Sequence, residues 1–354
     1  MKTTKLLLAC LIFLWLSVSC KKNDIPAPIH NSPDIYIAGV SYSHDHQHSI
    51  ATLWKNGVPT LLGDSTMNSG AISVIVKGTD VYVAGYTTSG YFAIPTYWKN
   101  GVVKTFGYNA SVSGMYVQNN DVYLSGSTVS PHGFGYASYW KNGNLTNITD
   151  GASESEAYGI TINGSDIYVC GFTPDANDFE QAAYWKNGIV TILAPTSYAN
   201  NGYGGSLLSK ASTIFTAGTD IYAAGFVEPQ KGPREACVWK NGIQTNLSDP
   251  TVTSEANAIF VQGNDVFITG YSTSIPKGYS VATYWKNGVQ TKIDDGYSST
   301  AWGIAVNGSD VYIAGQSFLT NGATYWKNGV PVQLPGYKGA SSASASGIAI
   351  VVNQ

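Results

Sequence analysis

Short segments of β-branched and aromatic residues, each bounded by turn residues, recur along the chain from residue 34 onwards. The pattern is clearest near the C-terminus, where four such segments follow one another. They are Gly303-Ile304-Ala305-Val306, Asp310 to Gly315, Ala323 to Trp326 and Pro331 to Leu334. Segments of this composition between turn residues are typical of strands rather than helices. We name the four predicted strands A, B, C and D.

This unit occurs seven times, and each copy carries the sequence Trp-Lys-Asn-Gly at the end of strand C. The tryptophans of the motif are Trp54, Trp98, Trp140, Trp185, Trp239, Trp285 and Trp326. Their spacings of 44, 42, 45, 54, 46 and 41 residues are in the range of four-stranded propeller blades. Because such units bury their faces only against their neighbours, we expect these tryptophans to pack between blades. The sequence predicts an all-β, seven-bladed β-propeller.

Two connections within each unit are short. Strand C leads into strand D through Asn-Gly, the dipeptide preferred in type I′ hairpins because both residues adopt positive φ. Strand A leads into strand B through a glycine and an aspartate, as in Asn307-Gly308-Ser309-Asp310. Aspartate at such a position accepts local backbone N–H bonds, so we expect the seven aspartates to form turns rather than to catalyse a reaction.

The two ends of the repeat region complement each other. Strand B of the first unit begins at Asp34 with no strand A before it, whereas the final segment, 347–350, reads as a strand A with no strand B after it. Together they complete one blade. We therefore predict that the propeller covers residues 34–354 and that the C-terminal strand pairs beside the first strand B, which leaves no open edge between blades.

Residues 1–19 have the features of an export signal, with two lysines before an apolar run too short to span a bilayer. The sequence Ser17-Val18-Ser19-Cys20 resembles the cleavage box of bacterial lipoproteins. This resemblance implies a lipid on Cys20, a proline-bearing tether over residues 20–33 and attachment to a membrane by the anchor only. Lys21, rather than aspartate, after the cysteine favours the outer membrane, on its periplasmic or surface side. The alternative is an ordinary secretory signal and a free protein.

Composition narrows the function classes. Charged residues make up 12% of the chain, the formal net charge is −3, and Arg234 is the single arginine. No basic stripe suited to nucleic acid is visible, and we expect a monomer. Cys170 and Cys237 replace alanines of other repeats and are expected to act as small apolar side chains. A disulfide bond between them is an open alternative, because the sequence does not give the distance between the two cysteines.

Strand order places the B–C and D–A connections on one face, where loops of variable sequence are suited to binding. The first B–C loop contains His44, His46 and His48. In an extended segment these alternate residues point the same way and form a candidate site for a divalent metal. A polar, solvated loop explains the same residues.

Other candidates for a binding face are aromatic and acidic residues of the same loops. A long D–A insert could stack tyrosines on a sugar, although a flexible glycine-rich loop is the alternative. We expect Trp302 to start a strand A near this face. The candidates are Tyr91, Phe134, Tyr136, Asp175, Asp178, Phe179, Glu180, Tyr198, Tyr203 and Trp302.

The segment Ala182-Ala183-Tyr184-Trp185-Lys186-Asn187-Gly188 resembles the HAF-type extracellular repeats of bacteria, which implies an exported propeller and adds no catalytic residue. We expect a binding module for a polysaccharide or a partner protein. The alternatives are a glycan-active hydrolase or lyase and a scaffold without a small ligand. Two carboxylates with a basic residue at the channel mouth would favour the enzyme. An exposed aromatic strip would favour glycan binding, and a broad apolar patch would favour a protein partner.

Overall fold

The computed structural model describes residues 32–43, 47–194, 209–229, 232–273, 278–294, 298–320, 322–337 and 342–352. Within these ranges the chain forms seven antiparallel sheets of four strands each. The predicted seven-bladed β-propeller is therefore confirmed. No helix in the described ranges has the length and hydrophobicity needed to span a bilayer.

The strands of the first four blades follow the predicted order. Blade 1 begins with β1 (Asp34–Tyr42), β2 (Ser49–Lys55) and β3 (Val58–Leu61). Blade 2 contains β4 (Ser69–Lys77), β5 (Asp80–Ser89), β6 (Phe92–Lys99) and β7 (Val102–Thr105). Blade 3 contains β8 (Ala110–Gln118), β9 (Asp121–Val129), β10 (Gly135–Lys141) and β11 (Asn144–Asn147). Blade 4 contains β12 (Glu156–Asn163), β13 (Asp166–Pro174), β14 (Glu180–Lys186) and β15 (Ile189–Ile192).

The remaining blades repeat the order, and the last strand returns to blade 1. Blade 5 contains β16 (Ser209–Ala217), β17 (Asp220–Val227), β18 (Glu235–Lys240) and β19 (Ile243–Asn246). Blade 6 contains β20 (Ser254–Gln262), β21 (Asp265–Thr273), β22 (Ser280–Lys286) and β23 (Val289–Lys292). Blade 7 contains β24 (Ser299–Asn307), β25 (Asp310–Ser317), β26 (Gly322–Lys327) and β27 (Val330–Gln333). Strand β28 (Ala343–Val351) is strand A of blade 1 and pairs antiparallel with β1.

The repeated tryptophans lie between blades, as predicted. Trp98 of blade 2 is 1% exposed and packs with Tyr36, Ala38 and Ala51 of blade 1. Each of the other six packs in the same way against the preceding blade. Trp54 continues the pattern across the junction of the chain ends, where it packs against blade 7. The motif is therefore the repeated contact that joins neighbouring sheets.

The C–D turns adopt the predicted type I′ geometry. In blade 2, φ is 51° at Asn100 and 80° at Gly101, and the corresponding asparagine and glycine have positive φ in every other blade. Both positions therefore need residues that tolerate the left-handed region.

The aspartates that open the B strands bind side chains of the motif, which differs from the expected bonds to local backbone N–H groups. In blade 2, Lys99 Nζ lies 2.7 Å from Asp80 Oδ2, and Asn100 Nδ2 donates to Asp80 Oδ1 at 2.8 Å. Asn100 Oδ1 in turn accepts from the backbone N–H of Val81 at 2.8 Å. The hydrogen bond from Lys99 holds the pKa of Asp80 below its usual range. The same ion pair recurs in all seven blades.

The inner strands are longer than the predicted four residues because each continues past a β-bulge. In blade 2, Ala71 pairs with Gly85 and Ser73 with Ala84, so Ile72 is the extra residue. A Cβ on Gly85 would lie 1.9 Å from the carbonyl oxygen of Gly70. The corresponding strand B glycines meet a carbonyl at a similar distance and are Gly39, Gly126, Gly171, Gly225, Gly270 and Gly315. Glycine is thus required where strand B faces the bulge.

The two cysteines of the described chain are buried and free. The two thiols do not form a disulfide bond, and both side chains fill the interior as expected. Burial raises the pKa of the Cys170 thiol to about 12, which suppresses the reactive thiolate.

Removing residues 346–354 is expected to abolish cooperative unfolding, because it deletes most of β28 and exposes the β1 edge and the inner face of blade 1. A chain that ends at Val352 keeps β28 and serves as the control. The measurement is thermal unfolding followed by far-UV circular dichroism. A sharp transition near the parent Tm in the shorter chain would contradict this account of ring closure.

Two motif tryptophans are expected to differ on replacement by phenylalanine. Trp54 Nε1 donates to the carbonyl of Pro335 at 2.8 Å, whereas Trp98 Nε1 is buried without a hydrogen-bond partner among the described residues. Both variants lose similar volume, but only Trp54→Phe loses a hydrogen bond. We expect Trp54→Phe to be about 1 kcal/mol more destabilising in urea unfolding than Trp98→Phe. Equal losses would show that the Trp54 bond contributes nothing.

Candidate functional site

The inner strands of all seven blades surround a central channel of about 570 Å³. This volume is within the range of ligand-binding pockets. Trp302, at the bulge of β24, lines the channel and is 45% exposed. Asn257, at the same position of blade 6, also lines the channel and donates through Nδ2 to the carbonyl of Ala301 at 2.9 Å. The bulge residues of six blades line the channel, whereas Tyr158, at this position of blade 4, does not.

The inner strands of blades 4, 5 and 6 place charged residues where the channel meets the B–C and D–A loops. The position two residues before the bulge residue of strand A is occupied by Glu156 in blade 4, Lys210 in blade 5 and Glu255 in blade 6. The corresponding residues of the other blades are uncharged, namely Gly70, Ser111, Thr300 and Ser344. We call Glu156, Tyr158, Glu180, Lys210, Glu228, Arg234 and Glu255 the mouth cluster.

Arg234 joins blades 5 and 6 within the mouth cluster. Its guanidinium lies 2.8 Å from Glu228 Oε1 and 3.0 Å from Glu255 Oε2. The group also lies over the Phe226 ring, 3.9 Å from the ring centroid. Tyr271 donates its hydroxyl to Glu255 at 3.3 Å. Both carboxylates are therefore bound by protein groups.

A second group of contacts joins blades 4 and 5. Tyr158 donates its hydroxyl to Glu156 Oε2, and Lys210 Nζ lies 4.1 Å from the centroid of the Tyr158 ring. Burial raises the pKa of Tyr158 well above its usual range, and the Glu156 bond adds to this effect. Tyr158 is therefore a hydrogen-bond donor at neutral pH.

Glu180, at the start of β14, is the mouth-cluster carboxyl whose pKa is displaced upwards. Burial is the main cause, and the nearby carboxylates of Glu156, Glu154 and Glu228 add to it, while Lys210 opposes it. This carboxyl therefore keeps its proton to a higher pH than an ordinary glutamate does.

A separate groove of about 350 Å³ lies between blades 2 and 3 and extends from the D–A connection at Tyr108 to the C–D turn at Gly143. Its lining includes Tyr108, Tyr136 and Trp140, with Thr128 and Asn147 as polar side chains. We call these five residues the aromatic groove. Tyr108 is 57% exposed.

The polar side of the aromatic groove is held in place by hydrogen bonds. Ser138 donates to Asn147 Oδ1 at 2.9 Å, and Thr128 Oγ1 lies 3.2 Å from the same atom. These bonds fix the Asn147 amide, whose nitrogen has no hydrogen-bond partner among the described residues. At the other end, the ring of Phe92 lies 5.0 Å from that of Tyr108, which extends the aromatic surface beyond the groove.

The predicted aromatic candidates fall on several blades. Tyr136 lines the aromatic groove. Phe134 belongs to the same B–C connection and is 42% exposed, and Tyr91, fully exposed, lies in the B–C turn of blade 2. Tyr198 and Tyr203 lie outside the described residues. The sequence thus located part of the groove but not Tyr108, which lies in a D–A connection.

Of the three predicted acidic candidates, Asp175 and Asp178 shape a loop and Glu180 belongs to the mouth cluster. Asp175 Oδ1 accepts the backbone N–H groups of Asn177 and Phe179 at 2.8 and 3.0 Å. Asp178 has φ of 62° and accepts from Ser153 at 3.4 Å. These contacts shape the loop, whereas Glu180 lies close enough to Glu156 for the two to influence each other electrostatically.

The expected position of Trp302 was wrong. Strand β24 begins at Ser299, three residues earlier, so Trp302 lies within the inner strand and in the channel wall rather than at its loop-side start. The bulge extends the strand beyond the short apolar segment that the sequence pattern detects.

The histidine loop is only partly described. His44 and His46 lie outside the described residues. The His48 Nδ1 atom is shielded from solvent and has no hydrogen-bond partner among the described residues. Across that part of the chain, no three His, Cys, Asp or Glu side chains are grouped to hold a metal ion.

Comparisons with known proteins support the fold. No protein-family model and no curated protein matches the sequence. The β-propeller domain of the Trilobed protease from Pyrococcus furiosus is similar in structure, with a TM-score of 0.52 and 10% identity over 86% of this chain and 95% of that domain. An acylaminoacyl peptidase from Pyrococcus horikoshii has a TM-score of 0.49 and 12% identity, over 87% of this chain and 52% of the peptidase. At 10% identity, the similarity to the Trilobed protease domain shows the β-propeller fold alone.

Glu180→Gln is expected to raise the Tm at pH 7 but not at pH 3. The folded state raises the Glu180 pKa above its ordinary 4.5, so the native protein loses stability as pH rises through that region, and glutamine removes the loss. Asp64→Asn should behave in the opposite way and lower the Tm at pH 7, because hydrogen bonds from Thr66 lower the Asp64 pKa. An equal rise in Tm at both pH values for Glu180→Gln would contradict the electrostatic explanation.

Proposed function

We propose that this chain is an exported propeller, monomeric and anchored by a lipid on Cys20, that binds a polysaccharide through the aromatic groove. The aromatic groove itself is the observation that carries this proposal. It combines an exposed tyrosine, a second tyrosine and a fixed asparagine amide in one depression of about 350 Å³. The exposed rings of Tyr108 and Phe92 are the kind of aromatic surface that favours a glycan.

The chemistry of the groove suits a sugar ring. A pyranose has apolar C–H faces and hydroxyl groups around its edge, so it matches a flat aromatic surface bordered by amide and hydroxyl groups. Tyrosine supplies such a surface together with a polar tip. The neighbouring ring of Phe92 lengthens the platform and favours a chain of sugar units over a single one.

A second candidate function is the hydrolysis or cleavage of a glycan in the mouth cluster. The observation that favours it is Glu180, whose raised pKa suits a general acid, near the Glu156 carboxyl. Two carboxyl groups of this kind are the minimum for glycosidic chemistry. Binding remains the first proposal because Glu156, Glu228 and Glu255 are already engaged by Tyr158 and Arg234.

A divalent metal at His44, His46 and His48 stays a proposal. Imidazoles at alternate positions suit zinc-type coordination. A thermal-shift series with zinc and other divalent ions, compared with His44→Ala, tests it directly, since a bound metal raises the Tm of the folded state. An unchanged Tm, or a Tm rise that persists in His44→Ala, would rule out this metal site.

Tyr108→Ala is expected to weaken polysaccharide binding about two- to tenfold, since an aromatic contact contributes about 0.5–1.5 kcal/mol. The measurement is isothermal titration calorimetry with oligosaccharides chosen from a glycan array probed with the folded chain. Phe318→Ala is the matched control, because Phe318 is 61% exposed in the blade 7 B–C connection. Binding to a protein partner but to no glycan on the array would overturn the proposal.

The two candidate functions separate in the same experiments. A glycan that is bound and left intact over hours supports the binding module alone. Release of reducing ends that is lost in Glu180→Gln, but kept in Tyr108→Ala at saturating substrate, would establish the enzyme.

A further inference from the structure

The face of the propeller that carries the A–B and C–D turns, here called the turn face, has a ring of exposed apolar side chains. Each ring member is the first residue of a strand D, directly after the Asn-Gly turn. They are Val58, Val102, Ile189, Ile243, Val289 and Val330, and each is 64–75% exposed. Asn144 holds the position in blade 3. Strand D is the outermost strand of each blade, so these six side chains form a ring around the rim of the turn face, one in each of six blades.

Nearly all charge on the turn face is paired, and Lys77, at the A–B turn of blade 2, is one lysine outside the ion pairs of the described residues. The seven aspartates of the turn face each pair with the lysine of the adjacent motif, as in Lys55 with Asp34 at 3.0 Å. The lysine stems also pass over aromatic rings, as Lys99 does over Tyr82. The turn face therefore combines exposed apolar side chains with neutralised ion pairs.

The opposite face, which carries the B–C and D–A loops, is acidic. All described acidic residues outside the turn aspartates lie in these loops or at the strand ends beside them. They are Asp64, Asp150, Glu154, Glu156, Asp175, Asp178, Glu180, Glu228, Glu235, Asp249, Glu255 and Asp294. The described basic residues at the same end are fewer, namely Lys104, Lys210, Arg234 and Lys292. An anionic lipid surface would repel this face and accept the turn face.

The chain enters the propeller at the turn face. Strand β1 begins at Asp34, and Asp34 is bound by Lys55 and Asn56 of the first C–D turn. The fourteen residue steps between Cys20 and Asp34 can span at most about 50 Å. A lipid on Cys20 would be linked to the fold at the turn face, within this distance.

We propose that the turn face rests on a lipid bilayer, with the six Val and Ile side chains at the membrane interface and the loop face directed away from it. The inference rests on the anchoring part of the proposed function. Apolar side chains enter the interface without spanning the membrane, and a tether that confines the protein near the surface makes weak contacts of this kind effective. The orientation leaves the mouth cluster and the Tyr108 end of the aromatic groove open to a ligand.

The experiment attaches the chain 20–354 to vesicles by coupling Cys20 to a maleimide lipid. Cys170 and Cys237 are buried, so Cys20 is the reactive thiol. The vesicles contain phosphatidylcholine and phosphatidylglycerol, and hydrogen–deuterium exchange is compared before and after attachment. We expect amides at the C–D turns to exchange about tenfold more slowly on the vesicles, with the loop face unchanged.

A ring variant provides the decisive control. Replacing the six ring residues by threonine keeps a β-branched shape at each position and removes the apolar surface. The variant should stay attached through Cys20 but lose the slowed exchange, whereas Val129→Thr, at the loop end of β9 and 53% exposed, should keep it. Slowed exchange on the loop face, on neither face, or unchanged in the ring variant would overturn the proposal.

Whether Cys20 carries a lipid is tested in a separate experiment. Mass spectrometry of the protein from bacterial membranes shows whether Cys20 is acylated. Because the vesicle coupling is chemical, its result decides the orientation whether or not the natural lipid is present.

Discussion

The packing of each motif tryptophan against the preceding blade is the contact on which the propeller depends. A four-stranded blade has two apolar faces and cannot bury either of them alone. Trp98 enters the face of blade 1 beside Ala38 and Ala51, where small residues leave room for a large ring. The same arrangement at Trp54 requires blade 7 as its neighbour, so the contact is satisfied throughout only when the chain ends meet. The pairing of β28 with β1 follows from this requirement, since it supplies the inner strand that blade 1 lacks.

A second constraint links the scaffold to the candidate site. The bulge in strand A directs one residue into the channel in six blades, and the glycine opposite each bulge, such as Gly171, is needed because a Cβ would meet the carbonyl of Glu156. The backbone is thus fixed in every blade while the side chains at the bulge and two positions before it are free to vary. Glu156, Lys210 and Trp302 use these positions. The scaffold therefore provides seven equivalent sites for substitution around the channel without a change in packing.

The sequence predicted the features that repeat and missed those that arise from contacts between repeats. Blade number, the Asn-Gly turns and the buried tryptophans follow from local pattern and period. The length of strand A was underestimated because the Ser-x-Ala segment before the bulge has no continuous apolar run. The partners of Asp80, namely Lys99 and Asn100, lie about twenty residues away in another hairpin. The mouth cluster could have been found from the repeats themselves, since one inner-strand position is charged only in blades 4, 5 and 6.

The two faces of the propeller differ in charge because the turn face is built from repeated residues and the loop face from variable ones. On the turn face, Asp and Lys are part of the repeat, so each blade contributes a neutral pair and Lys77 adds a single further charge. On the loop face the scaffold does not require charge of either sign, and the described acidic residues there outnumber the basic ones, of which Arg234 pairs with Glu228 and Glu255. A propeller built in this way has chemically different faces although its blades are nearly alike. Ligand chemistry can therefore evolve in the loops while the turn face keeps the composition that the fold requires.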